Sequence, residues 1–359
     1  MSLHTDIPTR AQIERLLEQR SPASVSIYLP TGRIPQEAQA DRIELKNLAE
    51  DGVQQLEAAG LDSHVVDAMR TQLHELVEDD DFWGHQANSL AVFATPERIR
   101  TFRLPNHLVA MVEVSDRFHV KPLLRTVTFP QAAYVLALAQ GSVRLLEIGP
   151  SGDPQEVHVP ALPSDAKESR GNKVVKVREQ SYAREIDHAL RPVLSGQDLP
   201  LILAATETLA AVYHSVNTYP HLAEERSAGN PEATSDADLA DAARTILDDI
   251  YAEQVAGLRA LFDERASQGR TATDVSDVAR LATYGAIDTL LVDIDEAVPG
   301  FIDEESGAVT FDAEDDAANY GVLDEVARRV FLSSGRVLAV RREDVPGGSP
   351  AAAILRYAV

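Results

Sequence analysis

Apolar positions recur along this chain with two alternating periods, and the alternation divides it into segments. A helical pattern over 9–19 precedes Val25-Ser26-Ile27-Tyr28-Leu29, an apolar run stopped by Pro30 that reads as a strand. Two long helices follow. Residues 37–59 place Ile43, Leu45, Leu48, Val53 and Leu56 near a 3.6-residue period, and Gly60 closes that helix. Residues 62–77 repeat the pattern with Val65, Val66, Met69, Leu73 and Leu76. Strand periods return at 90–94 and 98–104, joined by the turn Thr95-Pro96-Glu97. Between helix and strand lies Asp81-Phe82-Trp83-Gly84-His85. Its paired rings suit either an anchor that stacks a base or grips a partner, or an aromatic corner packing helix on sheet.

Strands are expected next at 133–139 and 143–148 across Gln140-Gly141-Ser142, and a third at 156–159. A helix (182–194), a strand (201–205) and a helix near 209–217 follow. A long helix then spans 236–267, capped by Ser235, with the stripe Leu239, Ala243, Ile246, Ile250, Val255, Leu258 and Phe262. Three strands, helix, strand, helix is the order of a ribonuclease-H-like layer. Gly269-Arg270 marks the passage into a last segment. There a helix over 273–284 leads to an apolar run, 285–293, that ends in acids; a helix at 320–333 and strands at 335–340 and 351–357 complete it. That order predicts a compact α/β layer. The fold class is therefore α/β, with three consecutive mixed α/β domains expected at 1–127, 128–271 and 272–359.

Composition narrows the chemistry. A chain of 359 residues exceeds one ordinary core. The absence of cysteine excludes disulfides, thiolate zinc sites and cysteine nucleophiles. No apolar run approaches the roughly 20 residues that span a bilayer. Residues 1–20 carry acids and no apolar core, so no secretory leader is expected and the cytoplasm is the expected compartment. The net charge of −24 disfavours a general affinity for nucleic acid. It is unevenly spread. Residues 285–327 hold thirteen acids and no Lys or Arg, whereas over 97–144 Arg98, Arg100, Arg103, Arg117, Lys121, Arg125 and Arg144 face only Glu97, Glu113 and Asp116. These are either solvated faces of an acidic protein or surfaces for different partners.

Phosphate-loop, nucleophile-elbow and zinc-helix signatures are all missing, and the ten histidines are scattered. No metal and no cofactor is expected. Asp312, Glu314, Asp315 and Asp316 lack the alternation and central glycine of a calcium loop, and read as a solvated acidic loop. The stretch 170–178 holds four cations and no acid, extended by Lys167 and Arg184. Arg170, Lys173, Lys176 and Arg178 are candidate phosphate contacts; the alternative is a surface loop whose cations pair with acidic neighbours. Arg98 and Arg100 form a second candidate patch, because alternate strand positions share a face that Arg103 does not.

Val25-Ser26-Ile27-Tyr28-Leu29-Pro30-Thr31, Asp81-Phe82-Trp83, Arg117-Phe118-His119-Val120-Lys121-Pro122-Leu123-Leu124 and the blocks 285–293 and 351–357 form a collinear series. The series resembles the bacterial members of the archaeo-eukaryotic release factor family, in the peptide chain release factor and pelota superfamily, over essentially the whole chain. The resemblance implies a mixed α/β N-domain, a ribonuclease-H-like middle domain and a last domain of the kink-turn-binding ribosomal-protein type. It implies a tRNA mimic that occupies the ribosomal A site in termination, ribosome rescue or dormancy under stress, with the ribosome, ribosomal RNA or tRNA as partners. The acids of 285–327 point the last domain towards a basic ribosomal protein or a translation GTPase.

Release factors of that superfamily carry Gly-Gly-Gln in the loop before a middle-domain helix. Here the corresponding residues are Val177-Arg178-Glu179-Gln180-Ser181-Tyr182, with Gln180 where the helix is expected to begin. A carboxylate beside the reaction centre repels a developing oxyanion, and two residues bearing Cβ limit close backbone approach. The leading expectation is a non-catalytic or weakly catalytic ribosome-associated factor. The alternative is a peptidyl-tRNA hydrolase or tRNA endonuclease with Gln180 as its catalytic residue, since related tRNA-cleaving factors place a Gln similarly. A second alternative is a stress-linked interaction adaptor that never meets the ribosome.

Overall fold

Two strands of the first segment are buried at almost every position, which a sheet tolerates only when both faces are covered. In the computed structural model, which describes residues 5–32, 35–129, 131–150, 153–163, 175–197, 199–228, 231–293, 296, 298–312 and 321–358, the covers come from opposite ends of the chain. The first segment runs α1 (Arg10–Glu18), β1 (Ser24–Pro30), α2 (Pro35–Ala58), α3 (Ser63–Glu78), α4 (Asp80–Trp83), β2 (Ser89–Thr95), β3 (Arg98–Leu104), β4 (Met111–Ser115) and α5 (Lys121–Thr128). Its antiparallel sheet has the order β3-β2-β1-β4. Val25, Ile27, Leu29, Leu90, Val92 and Ala94 pack under α2 and α3. The intervening Tyr28, Ala91 and Phe93, with Phe102 and Leu104, face a second core shared with α1 and the C-terminal segment. Gly60 closes α2 at φ 74°, as the sequence indicates. Trp83 is a buried corner: its indole nitrogen donates to the Leu76 carbonyl at 3.1 Å and its ring meets Phe82 edge-on.

The middle segment contains β5 (Ala133–Leu138), β6 (Val143–Ile148), β7 (Gln155–Glu156), α6 (Val175–Leu194), β8 (Leu201–Ala205), α7 (Glu207–His214), β9 (Leu222–Ala228) and the start of α8 (Asp236–Ala266). The sheet order is β7-β6-β5-β8-β9, with β5, β6 and β7 antiparallel and β8 and β9 parallel to β5. Parallel neighbours require crossovers, and α6 and α7 supply them. On the opposite face, Leu239, Ala240, Ala243 and Ile246 of α8 pack on Val135, Ala137, Leu146, Ile202 and Ala204. The third strand, expected at 156–159, is the two-residue β7. The edge strand β9 carries Glu224 and Glu225, too polar to read as a strand.

The last segment follows as β10 (Thr271–Ala272), α9 (Val275–Thr283), β11 (Ile287–Asp293), β12 (Gly300–Ile302), β13 (Val309–Phe311), α10 (Val322–Leu332), β14 (Arg336–Val340) and β15 (Ala351–Leu355). Its sheet runs β10-β15-β11-β14, with β11 and β14 parallel across α10, while β12 and β13 form a separate hairpin. Gly300, at φ 144°, opens that hairpin opposite Phe311, so close that a Cβ would lie 2.3 Å from the Thr310 carbonyl oxygen.

The segments gather into two compact units. Residues 130–252 form one; residues 4–129 and 253–359 together form the other. Ile13, Leu16, Leu17, Phe118, Val120, Leu123 and Leu124 share one core with Val278, Leu290, Val322, Val326, Val330 and Val337. Among the described residues no helix is long and apolar enough to cross a membrane.

Candidate functional site

The residues singled out in the sequence fall in three places. Helix α6 holds the first group. It begins at Val175, not at 182, because Lys, Arg, Glu and Gln over 176–180 are good helix formers with no glycine or proline among them. Gln180 is thereby in the second turn of the helix, not at its start. The adjacent Glu179 accepts from Gln140 at 3.2 Å, and the Tyr182 hydroxyl donates to the Ala139 carbonyl at 3.1 Å, so this turn is tied to the β5–β6 connection. Glu232 accepts the Gly141 amide at 2.8 Å in the same connection. Gln180 lies between the cations Lys176 and Arg184 one turn away on either side and beside Glu179, and its backbone is helical rather than an open loop. Of the basic stretch, Lys176 and Arg178 lie in the first turn of α6, whereas Arg170 and Lys173 lie outside the described residues.

The second group is Arg98 and Arg100 on the edge strand β3. The Arg98 guanidinium donates to the side-chain oxygen of Gln19, at the end of α1. Arg100 is held below the ordinary guanidinium range by desolvation and by the charges of Arg98 and Arg15. Arg103 points elsewhere, its guanidinium 4.6 Å from the centre of the Phe82 ring.

The third group is the acidic segment, and here the fold joins part of it to part of the basic run. Glu325, its side chain 1% exposed, receives Arg328 at 2.8 Å, Arg329 at 2.7 Å and a close bond from Arg117. Asp324 meets His119 at 3.1 Å and Lys121 at 3.7 Å. Lys121 also donates to the Glu296 carbonyl at 2.6 Å. Burial alone would raise the Glu325 carboxyl; the hydrogen bond from Arg328 and the charges of Arg117 and Arg328 outweigh it and hold the group at about 2. Asp324 is lowered too, with desolvation opposed by His119 and Lys121. Asp293 and Glu296 meet Arg342 at 3.4 Å and 2.7 Å. The basic run around Arg117 and the acids of α10 are therefore each other's partners. Glu304, Glu305 and Asp312 stay exposed beside Phe301 and Phe311 on the β12–β13 hairpin, while Glu314, Asp315 and Asp316 lie outside the described residues.

One further feature was not legible in the sequence. A cavity of about 450 Å³ opens at the far end of α6, lined by Asp187, Arg191, Tyr213, Thr218, Tyr219 and His221 among others. The buried Asp187 accepts the Thr218 amide at 2.8 Å and Arg191 at 2.8 Å, so its carboxylate holds the 217–219 turn in place. Among the described residues no group of His, Asp and Glu is arranged to hold a metal ion.

Residues 130–253 match the family described as Bacterial archaeo-eukaryotic release factor family 11. The match covers the middle segment alone. It spans the five-stranded sheet, the basic stretch and Gln180. Solved structures similar to the chain include archaeal Pelota in a model of ribosome-bound Pelota and ABCE1, at 15% identity over 73% of this chain and 72% of that one, TM-score 0.45. Saccharomyces cerevisiae Dom34, a translation termination-like factor, is similar at 12% identity over 76% and 80%, TM-score 0.45. Archaeal termination factor aRF1 is similar at 16% identity over 96% of each chain, TM-score 0.22. No curated protein matches the chain.

Proposed function

We propose that this protein is a ribosome-associated translation factor that occupies the A site of stalled or dormant ribosomes without cleaving the peptidyl-tRNA ester. The observation that carries the reading is a release-factor-type middle segment in which Arg178-Glu179 replace paired glycines and Gln180 sits inside a helix. A helical backbone with side chains at 178 and 179 cannot close on an ester, and Glu179 disfavours the oxyanion that hydrolysis would build. In this reading 1–127, 128–271 and 272–359 are three consecutive modules, the middle one ribonuclease-H-like and the last of the kink-turn-binding type. The exposed Glu304 and Glu305 are acids that the last module offers to a basic ribosomal protein or a translation GTPase.

Native protein should co-sediment with ribosomes at low salt and release no peptide from ribosome-bound peptidyl-tRNA. Release that Gln180→Ala abolishes would establish the hydrolase reading instead, and tRNA fragments lost in the same variant would establish the endonuclease. Failure to sediment with ribosomes would leave the adaptor reading.

Changing Lys173, Lys176 and Arg178 together to Glu should weaken ribosome binding and flatten its salt dependence, since each phosphate contact contributes about one unit of slope. An unchanged slope would mean that these cations serve the protein's own surface.

A further inference from the structure

Arg15, Arg98 and Arg100 are gathered by three independent elements of local geometry. Arg98 and Arg100 are two residues apart on the edge strand β3, so they project from one face about 6.8 Å apart. The bond from Arg98 to Gln19 fastens that end of the strand to the end of α1. Arg15 precedes Gln19 by four positions and so lies on the same side of the helix. Arg15 and Arg98 are exposed and Arg100 is half-buried. In a chain of net charge −24, among the described residues no carboxylate lies within ion-pair distance of any of the three, although Glu18 and Glu97 are close in sequence. The neighbouring cations are different: Arg20 and Arg117 reach Glu325, Arg10 pairs with Glu14, and Arg103 stacks on Phe82. Mutual repulsion among three arginines costs folding free energy, a cost that Glu325 relieves for Arg20, Arg117, Arg328 and Arg329.

We propose that Arg15, Arg98 and Arg100 form a phosphate-binding patch that seats the backbone of an RNA strand. The pair on β3 is spaced on the order of successive backbone phosphates, and guanidinium groups bind phosphate oxygens through paired N–H donors. Arg15 faces the same strand from the helix side. Assigning ribosomal RNA as the source of that strand rests on the ribosome reading above; the phosphate chemistry of the patch does not.

The test uses full-length protein, a fluorescent unstructured RNA 20-mer read by anisotropy across a salt series, and ribosome co-sedimentation in parallel. The variant Arg15→Gln/Arg98→Gln/Arg100→Gln should lower the salt slope on the 20-mer by about 2 units, at about 0.7 per single-strand phosphate contact. The affinity change between 50 and 200 mM salt then shrinks by roughly 20-fold. A charge-matched control, Arg70→Gln/Arg265→Gln/Arg280→Gln, should keep the wild-type slope. The triple Lys variant of the patch should keep most of it, which guards against misreading a folding defect. Equal losses in patch and control variants, or no binding of the 20-mer by wild type, would overturn the patch. Displacement by polyglutamate as effective as by RNA would also overturn it, in favour of an acidic protein partner. If the patch controls the 20-mer but wild type ignores ribosomes, the ribosome reading fails while the patch stands. If wild type binds ribosomes and the patch variant behaves like wild type on both probes, the patch fails alone.

Discussion

Replacing Glu325 with Gln should destabilise the unit built from the two ends of the chain by about 3–5 kcal/mol. The substitution keeps the shape and removes the charge. Three guanidinium groups then remain around a nearly dry site: Arg117, Arg328 and Arg329 have side chains only 12%, 20% and 9% exposed. Arg20 adds its charge at 3.8 Å. Breaking a buried pair from one side costs more than the pair contributes, because the remaining charges lose water and counter-charge together. Denaturant unfolding of the whole chain should show this loss in the transition of 4–129 with 253–359, while the transition of 130–252 stays in place. A shift below about 1 kcal/mol would mean that solvent reaches the cluster freely.

The pH dependence of that loss has a definite sign. The folded Glu325 carboxyl, at about 2, lies below its ordinary value of 4.5. Its contribution is complete above the ordinary value and disappears as pH falls through the folded value. Wild type and Glu325→Gln should therefore differ most at neutral pH and converge towards pH 2.

What the sequence reveals follows from the range of the forces involved. Helices such as α3 and α8 carry their own caps and stripes, so period and cap together locate them closely. Strands β1, β2, β5 and β8 are buried on both faces and read as unbroken apolar runs. Strand β4, with Glu113 at its centre, and edge strand β9 lack that signal, since cross-strand pairing alone makes them strands. The start of α6 is missed for a different reason: Lys176 and Arg178 read as a loop by charge, although their intrinsic preference is helical. The charge anomalies at 97–144 and 285–327 are visible in the sequence as surplus. That Arg117 meets Glu325 across 208 positions of chain is not, because nothing local encodes such a pairing. The window 285–327 also stops one residue short of Arg328 and Arg329, two of the cations that neutralise it. The Arg15–Arg98–Arg100 cluster was half legible: the strand spacing gives its pair, and only the tertiary packing of α1 adds the third member.

Residues 272–359 expressed alone should fail to unfold cooperatively, although they carry α9, α10 and the strands β15, β11 and β14 of their sheet. The face of this segment that carries Val322, Val326, Val330 and Val337 is covered by Ile13, Leu16, Leu17, Phe118, Val120, Leu123 and Leu124. At about 1.5–3 kcal/mol for each of those side chains, the burial forfeited is on the order of 10 kcal/mol or more, comparable to the whole stability of a domain. Asp324 also loses His119 and Lys121, and Arg329 retains Glu325 without Arg117 to share it. The excised segment should bind a hydrophobic dye and show little amide protection, and adding residues 1–129 in trans should restore both protection and a sharp transition. Residues 130–252 should melt cooperatively by themselves, since Leu239, Ala240, Ala243 and Ile246 of α8 cover their sheet from within the same segment. A sharp thermal transition for 272–359 alone would refute the shared core. The expected failure bears on any search for partners of the exposed acids near Phe301 and Phe311: an excised last segment would present its bare apolar face first, and only the joined ends of the chain present those acids as they stand in the protein.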